Sequence, residues 1–357
     1  MLWDSFWMER SIIIRYANRY YKQNAWISIL RVFMCLVVIQ DHFGTNNETL
    51  VQKFLNFWGS LAVPCFMFLS FFLMAKDLQL LNSERIKARL CRLYIPIIFW
   101  NLLYFIYFNL LSFVLKKPDL FISYKGLIMG LLFSHYGKLT PHLWFLVVQI
   151  IDLVLIVITF QYIEKKEYRI VAWLILMIIT FILEYTGIAF YLFETAPYET
   201  RYPLGRVIEC IPYAVIGIIY SWCFHNQSLY KIKIPVWIMC IIFSVVSRKI
   251  IPEIPGFGYN GLYLLLSATS ICLFVLNLPD IFKGNIRIII NWFGSCTMGI
   301  YCLHLLIGKT LNILMPNRLF QGTLLFDLII LVLGILGTVI IRSVFQSTNK
   351  KWLSYML

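Results

Sequence analysis

Residues 24–43, NAWISILRVFMCLVVIQDHF, decide the fold. Apart from Arg31 and the polar close Gln40-Asp41-His42, the stretch is almost wholly apolar. Its length is that of a helix crossing the roughly 30 Å hydrocarbon core of a bilayer. Working outward from this first span, at about 26–43, apolar runs recur at about 54–75, 93–115, 143–163, 170–193, 207–224, 235–251, 261–278, 288–308 and 323–345. Of 357 residues, 61% are hydrophobic and 13% charged, at a mean hydropathy of +0.79. Soluble domains carry about a quarter charged residues, so the apolar surplus has to face lipid. The expected fold class is all-α: a polytopic membrane helix bundle of about ten transmembrane helices. Too little chain lies between the runs for a soluble domain, so 26–345 is expected to be one membrane domain. Residues 1–25 are expected to form a cytoplasmic interfacial segment before it, and 346–357 a short cytoplasmic tail after it.

The 31 Lys and Arg against 17 Asp and Glu give a net charge of +14. In a soluble protein that balance would suggest nucleic acid; here the cations sit between apolar runs, where they set topology and meet membrane lipid headgroups. No nucleic-acid partner is expected. With the N-terminus in the cytoplasm, inside segments collect 19 Lys and Arg and outside segments 11, which favours an N-in, C-in multi-pass arrangement. Residues 1–25, MLWDSFWMERSIIIRYANRYYKQNA, lack the continuous apolar core and cleavage site of a signal peptide. They read as a basic, aromatic segment on the cytoplasmic face. The nine cysteines include no C-x-x-C pair and lie mostly in apolar runs, so neither a metal site nor a disulfide framework is expected. Gly126 to Ser134 is too short to cross and reads as re-entrant or interfacial. No internal repeat marks a transporter built from duplicated halves.

Charged groups inside spans are costly in lipid and are therefore functional candidates. Arg31 and His42 are separated by ten residues; eleven steps of 100° bring the helix back to within about 20°, roughly 16 Å further along its axis. The two share one stripe at opposite depths. A snorkelling arginine and an interfacial histidine would have the same spacing. Asp41 lies about 100° around from His42 and cannot easily bond its ring. A carboxylate orienting that ring is expected from another span, and Asp152, Glu184 and Glu209 are the candidates. Each of them could instead pair with Arg201 or Arg206. Arg89-Leu-Cys-Arg92 sets two guanidiniums on one helical face, a shape suited to phosphates as well as to inside topology. His142-Leu-Trp144 opens the fourth span, and Tyr301 and His304 stand three apart on one face of the ninth.

In this order the elements resemble the acyltransferase 3 family of membrane O-acyltransferases. The matching pieces are Arg31 and His42; Gly59-Ser-Leu-Ala-Val-Pro-Cys-Phe-Met-Phe-Leu-Ser70; Arg89-Leu-Cys-Arg92, taken as a cytoplasmic loop; His142-Leu-Trp144-Phe-Leu146; and Gly299-Ile-Tyr301-Cys-Leu-His304. The resemblance covers about residues 25–345. It implies transfer of acetyl from cytoplasmic acetyl-CoA, the acyl donor, to a sugar hydroxyl of a surface or periplasmic polysaccharide at a bacterial inner membrane. The acceptor would be a glycan or a lipid-linked sugar. It further implies that Arg89 and Arg92 hold the CoA phosphates, that Arg31 meets the acyl-CoA arm or a carboxylate, and that His42 is the general base. Ser70, His142, Trp144, Tyr301 and His304 are the further site candidates. The competing reading is a polysaccharide export protein without acyl transfer. One departure stands out: where the family has Gly-Phe after Ser70, this chain has Phe71-Phe72, which leaves open the close approach a glycine would allow.

Overall fold

The computed structural model describes residues 24–44, 49–80, 82–134, 142–186, 198–225, 238–239, 241–242, 245–246, 262–279, 281–315 and 321–346. The terminal segments 1–23 and 347–357, and most of the expected span 235–251, lie outside these residues. The helices are α1 (Ala25–Phe43), α2 (Leu50–Gly59), α3 (Ala62–Gln79), α4 (Ser83–Leu115), α5 (Tyr124–Phe133), α6 (Trp144–Tyr162), α7 (Lys166–Tyr185), α8 (Tyr198–His225), α9 (Leu262–Asn277), α10 (Gly284–Ser295), α11 (Thr297–Leu314) and α12 (Leu324–Gln346). No described residue is in a strand. By length and apolarity α1, α4, α6, α11 and α12 can each cross a bilayer, and Ala62–Ala75 and Leu262–Asn277 are shorter apolar helices. The chain is an all-helical, multi-pass membrane protein.

The burial pattern suits lipid. On α12, Leu328, Val332, Leu336 and Ile340 stand four apart and are exposed, while Phe326, Ile330 and Thr338 on the other face are buried. An exposed apolar stripe of this length is a liability in water and the rule in a bilayer. Inside, Phe68, Trp100, Tyr104 and Phe108 have no exposed surface.

Two expected spans are each broken in two. The run 54–75 divides at Ser60 and Leu61 into α2 and α3, and 288–308 divides at Cys296 into α10 and α11. Both breaks follow a Gly-Ser pair, Gly59-Ser60 and Gly294-Ser295, where helices lose stiffness and small hydroxyls compete for the backbone. The arginine stretch expected as a loop is instead the first turns of α4. Asn82 caps that helix, its side-chain oxygen accepting from the Arg85 N–H at 3.0 Å, with Glu84 in the first turn. The short run 126–134 is the ten-residue α5.

α1 and α11 run side by side in the same direction, and α12 runs against them. Phe43 meets Phe326 at 5.8 Å between ring centroids at one end of the bundle. At the other end, Arg342 bonds Ser295 at 2.8 Å and Trp26 donates to the Pro279 carbonyl at 2.8 Å. α4 joins the two ends: Arg85 pairs with Asp77 at 2.7 Å, and Tyr107 bonds Thr310 at 2.6 Å. Ala25 and the last turns of α12 are thus at the same end, the arginine end, while His42 is at the other. Beside Phe71, α3 is closely approached by α8. Gly217 of α8 packs so tightly on α3 that an added Cβ would be 2.5 Å from the Phe68 carbonyl oxygen and 3.2 Å from the Phe72 nitrogen. Phe71 itself is buried.

Candidate active site

The last turn of α1 carries His42 to the exposed end of that helix. Its ring lies 5.2 Å from that of His304 on α11, tilted by 31°. The ring of His304 is met edge-on by His142, at 5.0 Å and 78°. His142 lies just before α6 and also packs on Tyr301, at 5.5 Å, and on Tyr104 of α4, at 5.6 Å. Three histidines and two tyrosines from four parts of the chain therefore form one cluster. The Trp144 ring lies under the Arg206 guanidinium, 5.4 Å away, and Arg206 pairs with Glu209 at 2.6 Å.

Hydrogen bonds fix the cluster from the backbone. The His304 Nδ1 lies 2.6 Å from the Tyr301 carbonyl oxygen. A carbonyl only accepts, so Nδ1 carries the proton and the neutral ring keeps its lone pair on Nε2. That Nε2 is buried with no hydrogen-bond partner among the described residues. The Tyr301 hydroxyl donates to the His142 carbonyl. The Tyr104 hydroxyl donates to the Cys302 carbonyl at 2.9 Å and accepts from the Leu306 N–H at 3.0 Å. Those two backbone groups would bond each other in a regular helix, so Tyr104 is inserted in the turn that carries His304. Thr310 and Tyr107 bond one turn further on. Lys309 is within electrostatic reach of all three imidazoles, its ammonium 5.9 Å from the Phe108 ring centroid.

None of the three candidate carboxylates is seen to orient His42. Glu209 is taken by Arg206. The carboxylate of Asp152 on α6 is fully buried with no hydrogen-bond partner among the described residues. The side chains of Glu184 and Arg201 lie outside the described part. Asp41 faces α2, where a Cβ added to Gly59 would be 3.1 Å from its Oδ1, as its place on the helix predicts.

At the arginine end a cavity of about 350 Å³ opens between α3 and α4, lined by Ser70, Asp77, Arg85, Arg89 and Arg92 among others. Arg89 donates through Nη2 to the Ser70 hydroxyl, and the Asp77–Arg85 pair closes one side. Arg31 is within electrostatic reach of Arg89. Arg31 and His42 stand on one continuous helix, so α1 runs from the neighbourhood of Arg89 to the histidine cluster. Such an arrangement can hold a multiply charged anion at one end and move a proton at the other. Among the described residues no group of three or more His, Cys, Asp or Glu side chains could hold a metal ion.

Of the residues singled out in the sequence, His42, His142, Tyr301 and His304 come together, as do Ser70, Arg89 and Arg92. Tyr104 and Lys309 were missed. Lys309 carried a signal, a charge at the end of an apolar run; Tyr104 carried none, being one of 21 tyrosines.

Compared with known proteins, the chain matches the acyltransferase 3 family model, described as an acyltransferase domain, over residues 24–343. No curated protein and no solved structure matches it.

Proposed function

The chain belongs to the acyltransferase 3 family, and on that premise we propose that it transfers acetyl from cytoplasmic acetyl-CoA to a sugar hydroxyl of a cell-surface or periplasmic polysaccharide. The observation that carries this reading is the pairing of ends along α1, a basic cavity beside Arg31 and a histidine cluster around His42. The cytoplasmic side is the arginine end, in keeping with the excess of Lys and Arg in the segments that meet it. CoA phosphates bind Arg89 and Arg92, and the extended pantetheine arm follows the stripe past Arg31 toward His42. There the imidazole takes the proton of the acceptor hydroxyl as its oxygen attacks the thioester carbonyl. The new C–O bond forms, the C–S bond breaks, and the proton leaves with the thiolate as free CoA. His304 is the alternative base, because its Nε2 lone pair is fixed by the bond at Nδ1.

Acetyl-labelled acetyl-CoA incubated with inverted membranes and the glycan of the same cells tests this reading. Label in the glycan that depends on the gene supports it; unlabelled glycan that still requires the gene for its appearance outside would favour export without transfer. For sidedness, a reporter fused after Leu357 is expected in the cytoplasm and one inserted near Tyr259 outside. A cytoplasmic signal from both would overturn the ten-span arrangement.

A further inference from the structure

Ser28, Arg31 and Cys35 stand at i, i+3 and i+7 on one stripe of α1. The residues on either side of Arg31 are tied to the break between α10 and α11. Ser28 Oγ donates to Asn291 Oδ1 at 2.6 Å, and Cys35 Sγ to the Thr297 carbonyl at 3.6 Å. Gly294 lies directly on Ser28, where an added Cβ would be 2.6 Å from its Oγ. Arg31 is therefore set against the corner at Ser295 and Cys296. Arg342 reaches that corner from α12, donating through Nη1 to Ser295 Oγ at 2.8 Å and through Nη2 to the Ser295 carbonyl at 2.5 Å. Its Nη1 also lies 3.8 Å from Cys296 Sγ.

Arg342 and Arg31 are electrostatic neighbours, as are Arg31 and Arg89, and Arg89 and Arg92. Four guanidiniums from three helices thus neighbour one another in turn. Asp77 and Glu209 pair with Arg85 and Arg206, and no ion pair seen among the described residues reaches Arg31 or Arg342. Like charges held together away from bulk water are mutually destabilising unless an anion joins them. Several guanidiniums match an anion carrying more than one phosphate group, since their forks fit phosphate oxygens. We propose that Arg342, positioned by Ser295, is a further ligand of this anion site and binds a phosphate group of the nucleotide-bearing acyl donor. The inference rests on the transferase reading above. A lipid headgroup offers the same phosphate chemistry from another source.

The test is calorimetric binding of CoA, 3′-dephospho-CoA and pantetheine to the full-length protein in nanodiscs of phosphatidylcholine alone. Arg342→Gln is expected to weaken CoA at least about tenfold and leave pantetheine unchanged, with Arg342→Lys in between. Lys87→Gln, at an exposed position on α4, controls for net charge. If dephospho-CoA is spared by Arg342→Gln, the contact is to the 3′-phosphate; if it is weakened as well, to the pyrophosphate. Equal loss for CoA and pantetheine, with a lowered melting temperature that Ser295→Ala reproduces, would mean that Arg342 only braces the corner. Unchanged CoA affinity, accompanied by lost retention of added phosphatidylglycerol, would assign it to lipid and overturn the donor role. Wild-type protein that binds no CoA overturns the transferase reading itself, whereas CoA bound equally by wild type and Arg342→Gln overturns only this inference.

Discussion

Where α1 ends, His42, His304, His142 and Tyr301 sit with successive rings 5.0 to 5.5 Å apart. The Tyr301 hydroxyl and the His304 Nδ1 are tied to backbone carbonyls. At the arginine end, Arg85, Arg89 and Arg92 line a cavity of about 350 Å³, Arg89 is held by the Ser70 hydroxyl, and Arg342 is held by that of Ser295 at the nearby corner. The first region invests in position, the second in charge. Proton transfer within a reacting pair tolerates little misplacement, whereas a phosphate can be met by any of several cations. Substitutions at the histidine end should therefore act on turnover, and those at the arginine end on the apparent affinity for the donor.

The largest effect is expected for His42→Gln, which keeps size and polarity but removes the base. The variant should accumulate normally and lose about 10² to 10⁴ in acylation rate. His304→Gln is its counterpart: full loss there with His42→Gln active would move the base from α1 to α11. Wild-type rates in both would remove the histidine cluster from the chemistry. Next comes the double change of Arg89 and Arg92 to Gln, expected to raise KM for acyl-CoA at least about tenfold with kcat nearly kept; an unchanged KM would leave these residues to topology. Tyr104→Phe frees the Leu306 N–H and the Cys302 carbonyl to bond each other and closes the turn under His304. Turnover is expected to fall about tenfold, with stability altered by about 1 kcal/mol. A kcat equal to wild type would make the inserted hydroxyl a packing detail. Ser70→Ala should be mildest, a few-fold rise in KM through a less restrained Arg89, with Ser70→Thr near wild type. Loss of kcat instead would blur the contrast between the ends.

Much of this was legible because α-helical geometry is regular. The stripe shared by Arg31 and His42 needs only 3.6 residues per turn, and the place of Asp41 against Gly59 of α2 follows from the same geometry. The Gly-Ser pairs that divide two spans were also visible, but an apolar run gives no warning that small residues will break it. Contacts between distant segments were beyond reach. Nothing in Tyr104 marks it as the one whose hydroxyl enters α11, and nothing in Trp144 says that its ring will meet Arg206. Arg342 did carry a signal, a charge within an apolar run, yet its meaning depends on Ser295, 47 positions away.

The central claim is that a histidine at the end of α1 moves an acetyl group onto a glycan. It is tested most directly by mass analysis of the surface polysaccharide from cells carrying the wild-type gene, no gene, or His42→Gln at equal membrane level. Acetyl groups present with the wild type, and absent or nearly so in the other two, are the expected result. Identical acetylation in all three would contradict it.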